Sequence, residues 1–150
     1  MMDTTQVYLK KDGRILMMYR NVKESDISKG KWIGIGGKCE KDEEPESCAV
    51  RETLEECGIR INSLIKAGEV EFINTVYEDE LIHIYVSDDF EKVTEPVSYE
   101  GELEWISEDK IMDLNLWEGD RLFMPKVIEG GEFFKMRLLY DRDKLIGVGE

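Results

Sequence analysis

Hydrophobic and polar positions in the first quarter of the chain follow the pattern of short strands. Apolar segments at 7–10 and 14–20 flank a Lys-Asp-Gly sequence at 11–13, and an Asp-Gly pair between two apolar runs is typical of a hairpin turn. The second segment, RILMMYR, is almost continuously apolar, which predicts a strand buried on both faces. A polar loop over 21–31 follows, and the segment at 32–37, WIGIGG, then alternates large and small residues.

Between residues 45 and 58 the pattern becomes helical. Pro45 is well placed to begin a helix and Gly58 to end one. On a helix of 3.6 residues per turn, Glu52, Glu55 and Glu56 lie at positions i, i+3 and i+4, so three carboxylates share one face. The neighbouring apolar positions form a stripe that can pack against a sheet.

The rest of the chain predicts further strands and two more helical segments. Pro125 must mark a helix start or a kink within the second of these segments. We predict strands around 67–76, at 81–87, near 103–106, at 132–140 and at 145–148, a polar loop at 88–100, a short helix at 107–112 and helical spacing within 116–128.

Length and composition favour a single globular domain over residues 1–150. The chain is 41% hydrophobic and 36% charged, and its formal net charge is −14. Such an acidic chain argues against a nucleic-acid polymer or an anionic membrane surface as partner, because both require a basic surface. A single nucleotide remains compatible, since a bound cation can offset its charge.

Targeting and redox signals point to a cytoplasmic protein. No stretch approaches the roughly 20 apolar residues of a membrane span, and the N-terminus lacks the pattern of a signal peptide. The three cysteines form no CxxC pair, which indicates reduced thiols. His83 is the only histidine and lies within a predicted strand, so we expect a structural role and no catalytic site that needs several histidines.

The three carboxylates on one helix face require an explanation. Like charges at this spacing destabilise a helix and raise each other's pKa unless something positive neutralises them. A hard divalent cation such as Mg²⁺ would do so, whereas the alternative is an ordinary solvated face. Gly36 and Gly37 precede this helix and would let the backbone approach a metal or a phosphate closely, with a free carbonyl as a ligand.

These positions together resemble the signature of the Nudix family, the Nudix box. The matching positions are Gly37, Glu43, Arg51, Glu52, Glu55, Glu56 and Gly58. Thr53 departs from the pattern, since the family usually carries an aliphatic residue there. The resemblance implies an α/β/α sandwich with a mixed β-sheet, a fold of the α/β (α+β) class. It also implies Mg²⁺-dependent hydrolysis, with Mn²⁺ as an alternative, of a nucleoside diphosphate linked to another moiety.

The resemblance also implies roles for individual residues. Glu52, Glu55 and Glu56 would hold the metal together with a backbone carbonyl near Gly36 or Gly37. Arg51 would pair with a carboxylate of the box and fix its orientation, although a surface ion pair is the alternative. A carboxylate outside the box often completes such a site. Glu100 is the first choice because it lies in a loop, and Glu102 is the second. Either a glutamate of the box or Glu100 would accept the proton of the attacking water.

Two segments outside the box, KWIGIGGK and LWEGDRLFMP, resemble those of 8-oxo-dGTP diphosphatases of the MutT type. The resemblance implies that Trp117 stacks on a purine and that Asp120 hydrogen-bonds its edge, although Trp117 could instead be a core aromatic residue. Arg20 could meet a phosphate, and Lys38 is a further candidate substrate-binding residue. Ile33 stands where the relatives carry a base-binding Asn, and Glu118-Gly119 where they commonly carry an Asp. We therefore expect weaker discrimination between bases.

The resemblance therefore implies a Mg²⁺-dependent nucleoside triphosphate pyrophosphohydrolase that acts on oxidised purine nucleotides such as 8-oxo-dGTP and yields a nucleoside monophosphate and pyrophosphate. Hydrolysis of ADP-ribose, a nucleotide sugar or a dinucleotide is the first alternative. A catalytically silent domain that senses a nucleotide is the second, and the intact Glu52, Glu55 and Glu56 count against it. The sequence leaves open whether the protein is a monomer or a homodimer.

Overall fold

The computed structural model describes residues 1–22, 26–97 and 99–149. Within these ranges the chain forms eight strands, two α-helices and one 3₁₀ helix, which spans Glu108–Asp113. The helices are α1 (Pro45–Cys57) and α2 (Asp120–Glu129), and the strands are β1 (Met2–Lys11), β2 (Arg14–Tyr19), β3 (Trp32–Ile33), β4 (Ile59–Asn74), β5 (Glu80–Lys92), β6 (Glu102–Ser107), β7 (Phe134–Asp141) and β8 (Lys144–Gly149).

The strands form a mixed sheet in the order β3-β2-β1-β5-β4-β7-β8, and β6 pairs with β2. The β1–β5 and β4–β7 pairs are parallel, whereas the other pairs are antiparallel. Helix α1 packs on one face through Ala49 and Cys57. Helix α2 belongs to the core on the other face through residues such as Phe123 and Val127. This arrangement confirms the predicted α/β/α sandwich.

Strands β1 and β2 contribute to the core on both faces of the sheet. In β2, Leu16 and Met18 lie in the core beneath α1, whereas Ile15 and Met17 lie in the core beneath α2. All four are buried, as predicted from the continuous apolar run. Burial of one such side chain stabilises the fold by about 1.5–3 kcal/mol relative to leaving it in water.

The ends of helix α1 agree with the sequence prediction. Pro45 occupies its first turn, and Gly58 follows its last residue in a left-handed conformation with φ of 69°. A Cβ atom at Gly58 would lie 1.9 Å from the carbonyl oxygen of Thr94, so a side chain cannot be accommodated there. The chain passes directly from this glycine into β4.

Several predicted boundaries were wrong. Strand β4 begins at Ile59 rather than near residue 67, and β5 continues to Lys92 through part of the predicted 88–100 loop. The polar ends of these strands pair with each other, as in the Arg60–Glu91 ion pair at 2.5 Å, so they read as loops in isolation. Helix α2 begins at Asp120, and Pro125 lies at its sixth position, so the structure excludes the first of the two alternatives for Pro125, a helix start.

His83 lies in β5 and is buried, away from the carboxylates of α1. Its Nε2 atom is 2.9 Å from Asp3 Oδ1, and its Nδ1 atom is 2.8 Å from Lys66 Nζ. This geometry agrees with the structural role predicted for it. None of the described helices is long and apolar enough to cross a membrane.

Candidate active site

Helix α1 and the loop before it form an acidic cluster, which we define as Glu43, Arg51, Glu52, Glu55 and Glu56. Arg51 holds the outer members together. Its Nε and Nη2 atoms donate to the two carboxylate oxygens of Glu43 at 2.8 and 2.9 Å. Its Nη1 atom donates to Glu52 at 3.0 Å and to Glu55 at 3.2 Å. Hydrogen bonding to Arg51 lowers the pKa of Glu43 to about 2.

Glu56 is the buried member of the cluster. Only 4% of its surface is exposed, and its Oε2 atom has no hydrogen-bond partner among the described residues. Burial, followed by repulsion from Glu52, raises its pKa to about 8, whereas Arg20 and the Gly36 backbone oppose the rise. Burial also raises the pKa of Glu52. The charge of Arg20 therefore does not offset the burial of Glu56.

The glycines before α1 lie directly against these carboxylates. A Cβ atom at Gly37 would be 2.8 Å from Glu52 Oε2, so the backbone approaches that carboxylate as closely as a residue can. Gly36 has a φ of 150°, and its Cβ atom would be 2.1 Å from the Thr5 carbonyl oxygen. Gly36 therefore requires glycine, whereas a side chain at position 37 would displace the Glu52 carboxylate.

The cluster fits a hard divalent cation. It offers carboxylate oxygens beside backbone carbonyls, and the orphaned Glu56 Oε2 is a buried acceptor for which the described residues supply no donor. A second group of potential ligands, Cys39, Glu43 and Cys48, fits less well. Their donor atoms lie within 4.8 Å of one another, but Arg51 occupies both oxygens of Glu43, and burial raises the pKa of both thiols.

Glu100 and Arg20 lie beside the inner end of the cluster. Arg20 Nη2 is 3.7 Å from Glu100 Oε2, and Glu100 contributes to the raised pKa of Glu56. Arg20 Nε also donates to Asp26 at 2.6 Å. Glu102, the second choice from the sequence, has an exposed side chain on β6. The structure thus places Glu100 closer to the cluster's chemistry than Glu102.

A cavity of about 280 Å³ opens on the α2 side of the sheet. This volume is near the lower end for small-ligand pockets, which start at about 300 Å³. Arg20, Gly36, Gly37 and Lys38 are part of its lining, so the cavity and the acidic cluster meet at the two glycines. Other lining residues include Thr4, Gln6, Asp26, Ser28, Ile33, Val70, Phe72, Ile82, Trp117, Asp120, Leu138 and Tyr140.

Trp117 is both a core residue and part of the cavity wall. Its ring meets Phe72 and Tyr140 edge to face, with centroid distances of 5.6 and 5.2 Å. Its Nε1 atom donates to Ser28 Oγ at 3.0 Å, and Lys31 Nζ lies 5.3 Å from the ring centroid. The two interpretations of Trp117 from the sequence are therefore compatible with each other.

Asp120 begins α2 and lines the cavity. Burial raises its pKa to about 7, and hydrogen bonding from Gln6 and the charge of Lys31 oppose the rise. The same carboxyl group contributes to the raised pKa of Tyr8 and of Tyr140. Asp120 is therefore a carboxyl group with a raised pKa in a mainly aromatic and apolar wall.

The predicted site residues thus fall into two adjoining groups. Glu52, Glu55, Glu56, Arg51 and Glu100 lie at the cluster, although Glu55 is more exposed and, among the described residues, its carboxylate hydrogen-bonds only Arg51. The cavity is lined by Arg20, Lys38, Trp117 and Asp120. Sequence reasoning missed several polar or aromatic cavity residues, because they come from four separate segments of the chain: Gln6, Asp26, Ser28, Phe72 and Tyr140. Only Gln6 gave a signal, as an amide among the apolar residues of β1.

Comparison with known proteins gives concordant results. A family model described as NUDIX domain matches residues 4–127. The chain is 35% identical over 132 residues to a Danio rerio protein named oxidized purine nucleoside triphosphate hydrolase, covering 86% of this chain and 81% of that one. A Mus musculus protein of the same name is 29% identical over 143 residues, covering 95% and 89%. A solved MutT protein from Bacillus halodurans matches with a TM-score of 0.87 over 99% of this chain and 97% of that one, at 20% identity, which shows a shared fold.

Proposed function

The chain belongs to the Nudix family, and from this premise we propose that it is a Mg²⁺-dependent nucleoside triphosphate pyrophosphohydrolase acting on oxidised purine nucleotides such as 8-oxo-dGTP. Its products would be the nucleoside monophosphate and pyrophosphate. The observation that carries the proposal is the junction at Gly36 and Gly37, where a cluster of carboxylates adjoins a cavity walled by aromatic side chains. Polyphosphate and base of one nucleotide can occupy the two regions together. The names of the Danio rerio and Mus musculus relatives support this choice of substrate.

Members of this family generally require a divalent metal ion, and here the inner carboxylates would hold it. Glu52, Glu55 and Glu56 would be its ligands, with the carbonyl of Gly36 or Gly37. When bound, the ion supplies charge neutralisation and Lewis-acid chemistry to the phosphates. Arg51 orients two of these carboxylates, those of Glu52 and Glu55, through the bonds described above.

Arg20 and Lys38 would bind the phosphates, since both line the cavity where it meets the cluster. Either Glu100 or a glutamate of the cluster would accept the proton of the attacking water. The position of Glu100 supports its role as the proton acceptor, because its carboxylate lies 3.7 Å from the Arg20 guanidinium, at the edge of the region where the phosphates would bind.

The base would lie in the cavity against Trp117, with its polar edge towards Asp120. Stacking of a base on an aromatic side chain contributes about 1–3 kcal/mol, which is enough to retain a nucleotide at micromolar to millimolar concentrations when phosphate contacts are added.

The finer expectations belong to the same proposal: Mg²⁺ rather than Mn²⁺ as the ion, one domain over residues 1–150, a cytoplasmic location, no nucleic-acid polymer as partner, and a monomeric or homodimeric state.

The direct test is incubation of the protein with Mg²⁺ and a panel of nucleotides, followed by identification of the products. The panel includes 8-oxo-dGTP, the ordinary deoxynucleoside triphosphates, ADP-ribose and a nucleotide sugar. We expect pyrophosphate and a monophosphate, with 8-oxo-dGTP turned over most efficiently. Turnover of ADP-ribose alone would instead favour another Nudix reaction, and binding without turnover would indicate a nucleotide sensor.

A further inference from the structure

Gln6 is the only glutamine in the chain and is a cavity residue of β1. Neighbouring β1 residues alternate between the two cores: Val7 and Leu9 pack beneath α1, whereas Tyr8 packs beneath α2. Gln6 shares the face of Tyr8 because side chains two positions apart on a strand point the same way. An amide therefore lies in a wall that is otherwise built mainly from apolar and aromatic groups.

The structure fixes the position of this amide. Gln6 Nε2 donates to the hydroxyl oxygen of Tyr8. Gly34 covers the pair on one side, since a Cβ atom there would lie 2.9 Å from both Gln6 Cγ and the Tyr8 ring. The Tyr8 side chain is fully buried, so the group that holds the amide cannot itself move aside.

Asp120, which begins α2, lines the same cavity, and hydrogen bonding from Gln6 opposes the rise in the pKa of its carboxyl group. A carboxylate can only accept hydrogen bonds, so the nitrogen of the amide faces it. With its hydrogens directed at Tyr8 and Asp120, the amide is left with its carbonyl oxygen as the group that can accept from a ligand. The cavity therefore presents two acceptors side by side, the Gln6 carbonyl oxygen and the Asp120 carboxylate.

We propose that Gln6 is a specificity-determining residue that, together with Asp120, selects a base whose polar edge carries two adjacent N–H donors. This inference rests on the proposed function and deepens it. A guanine-type edge offers a ring N–H next to an exocyclic amino group, whereas an adenine-type edge places a ring acceptor beside its amino group. Two neighbouring acceptors match both donors of the first edge. On the second edge, the ring acceptor would face one of them and be repelled. Ile33 lines the same cavity and can make no such bond, so Gln6 supplies the polar contact from another strand.

An oxidised guanine and guanine itself share this edge. The Gln6 amide should therefore discriminate between guanine-type and adenine-type bases and not between the oxidised and the ordinary base. This separation distinguishes a reader of the base edge from a residue that only maintains the shape of the cavity, because a change of shape would affect all the bases.

The test compares Gln6→Leu with the wild-type protein on 8-oxo-dGTP, dGTP, dITP and dATP at pH 8.5, where Asp120 is ionised. We expect the ratio of kcat/KM for guanine-type substrates to that for dATP to fall about tenfold, which is the usual cost of one lost base contact. The ratio of 8-oxo-dGTP to dGTP should not change. dITP, which lacks the exocyclic amino group, identifies which donor Gln6 meets. Tyr8→Phe removes the anchor of the amide and should lower the same guanine-to-adenine ratio by a smaller factor.

The matched control is Asn62→Leu, which replaces an exposed strand amide and should leave every ratio unchanged. A Gln6→Leu variant that keeps the guanine-to-adenine ratio, or that loses activity equally on all bases, would overturn the inference. Binding of dGMP and dAMP, followed by tryptophan fluorescence, gives a readout that does not require hydrolysis. If the wild-type protein hydrolyses no triphosphate, the proposed function fails. The effect of Gln6→Leu on the dGMP-to-dAMP binding ratio then still decides the role of Gln6.

Discussion

The acidic cluster and the cavity meet at Gly36 and Gly37 but are built in different ways. The cluster comes from residues 43–56 and is held together by one side chain, Arg51. The cavity is assembled from β1, β4, β5, β7, the segment before β3 and the start of α2. The part that carries the reaction is thus encoded within a short stretch, and the part that selects the substrate is distributed along the chain. Substitutions can therefore change one while sparing the other.

The electrostatics of the two regions differ as well. Within the cluster, the pKa values of two glutamates are driven in opposite directions, to about 2 for Glu43 beside Arg51 and to about 8 for buried Glu56. In the cavity, burial raises the pKa of the Asp120 carboxyl group to about 7. In the cluster, Arg51 satisfies the outer carboxylates and leaves the inner one in need of a cation. In the cavity, the carboxyl group is available to a neutral partner.

The largest effect should come from Glu56→Gln, which should abolish the reaction at the cluster while leaving binding in the cavity intact. We expect kcat to fall by about 10³-fold or more, because a lost metal ligand removes several kcal/mol of charge stabilisation and each 1.36 kcal/mol is a factor of ten. Binding of a nucleoside monophosphate to the cavity should stay within about twofold of the wild-type value. Steady-state kinetics and equilibrium binding measure the two effects on the same preparation.

Glu46→Gln is the matched control, since it replaces an exposed glutamate of the same helix. It should retain wild-type kcat. Hydrolysis by Glu56→Gln within tenfold of the wild-type rate would show that the buried carboxylate is not part of the reaction, and the assignment of the cluster would fail.

Arg51→Lys should weaken the binding of Mg²⁺ to the cluster without abolishing it. A lysine cannot pair with Glu43 through two parallel bonds while also reaching Glu52, so the ligands lose their orientation. We expect a 10- to 100-fold rise in the Mg²⁺ concentration that gives half-maximal activity, as is usual for residues that orient metal ligands. Arg60→Lys, in an exposed ion pair, should leave this concentration unchanged. An unchanged Mg²⁺ requirement in Arg51→Lys would mean that Arg51 orients nothing.

The acidic cluster could be predicted from the sequence to a greater extent than the cavity. The three carboxylates on one helix face could be predicted because i, i+3 and i+4 spacing is a local property of the helix. The Gln6–Tyr8 contact and the Trp117–Ser28 bond could not, because they depend on how separate elements pack and on the register of the sheet. Trp117 and Asp120 were found only through resemblance to known sequences.

The ends of β4 and β5 teach a related lesson. Residues 59–66 and 88–92 form strand where polar side chains suggested otherwise. Their polar groups pair across the strands, as Ser63 Oγ does with Asp89 Oδ2 at 3.0 Å. Such cross-strand pairs stabilise a solvent-facing sheet, but the sequence does not show which residues will face each other across the strands.

Asp26→Asn tests the connection between the two regions and should have an intermediate effect. Asp26 accepts from Arg20 Nε at 2.6 Å and from the Ser28 backbone N–H at 2.9 Å, and Ser28 in turn accepts from Trp117. Loss of a hydrogen bond between charged groups costs about 1.5–3 kcal/mol, so we expect kcat/KM to fall at least tenfold, mainly through KM. Asp141→Asn, which alters an exposed bond to Thr75, is the control. A fall in kcat alone would place Asp26 on the side of the cluster.

The smallest effect should be seen in the pH dependence of stability, where the cavity carboxyl can be isolated from the cluster. The pKa of Asp120 is about 7 in the folded protein and about 3.9 in the unfolded chain, so the folded state holds its proton more tightly. This contribution to stability is fully present below pH 4 and is lost as the pH rises to about 7. Glu56 shifts stability in the same direction in both proteins, so the difference between wild type and Asp120→Asn reports Asp120. Between pH 6 and pH 8 we expect Tm of the wild type to fall about 3 °C further than Tm of the variant, which corresponds to roughly 1 kcal/mol in a chain of this size. Asp113→Asn, at an exposed site, should follow the wild-type curve. Parallel melting curves for wild type and Asp120→Asn would show that the carboxyl is as well solvated as one at the surface, and the cavity would then not hold a buried carboxyl group.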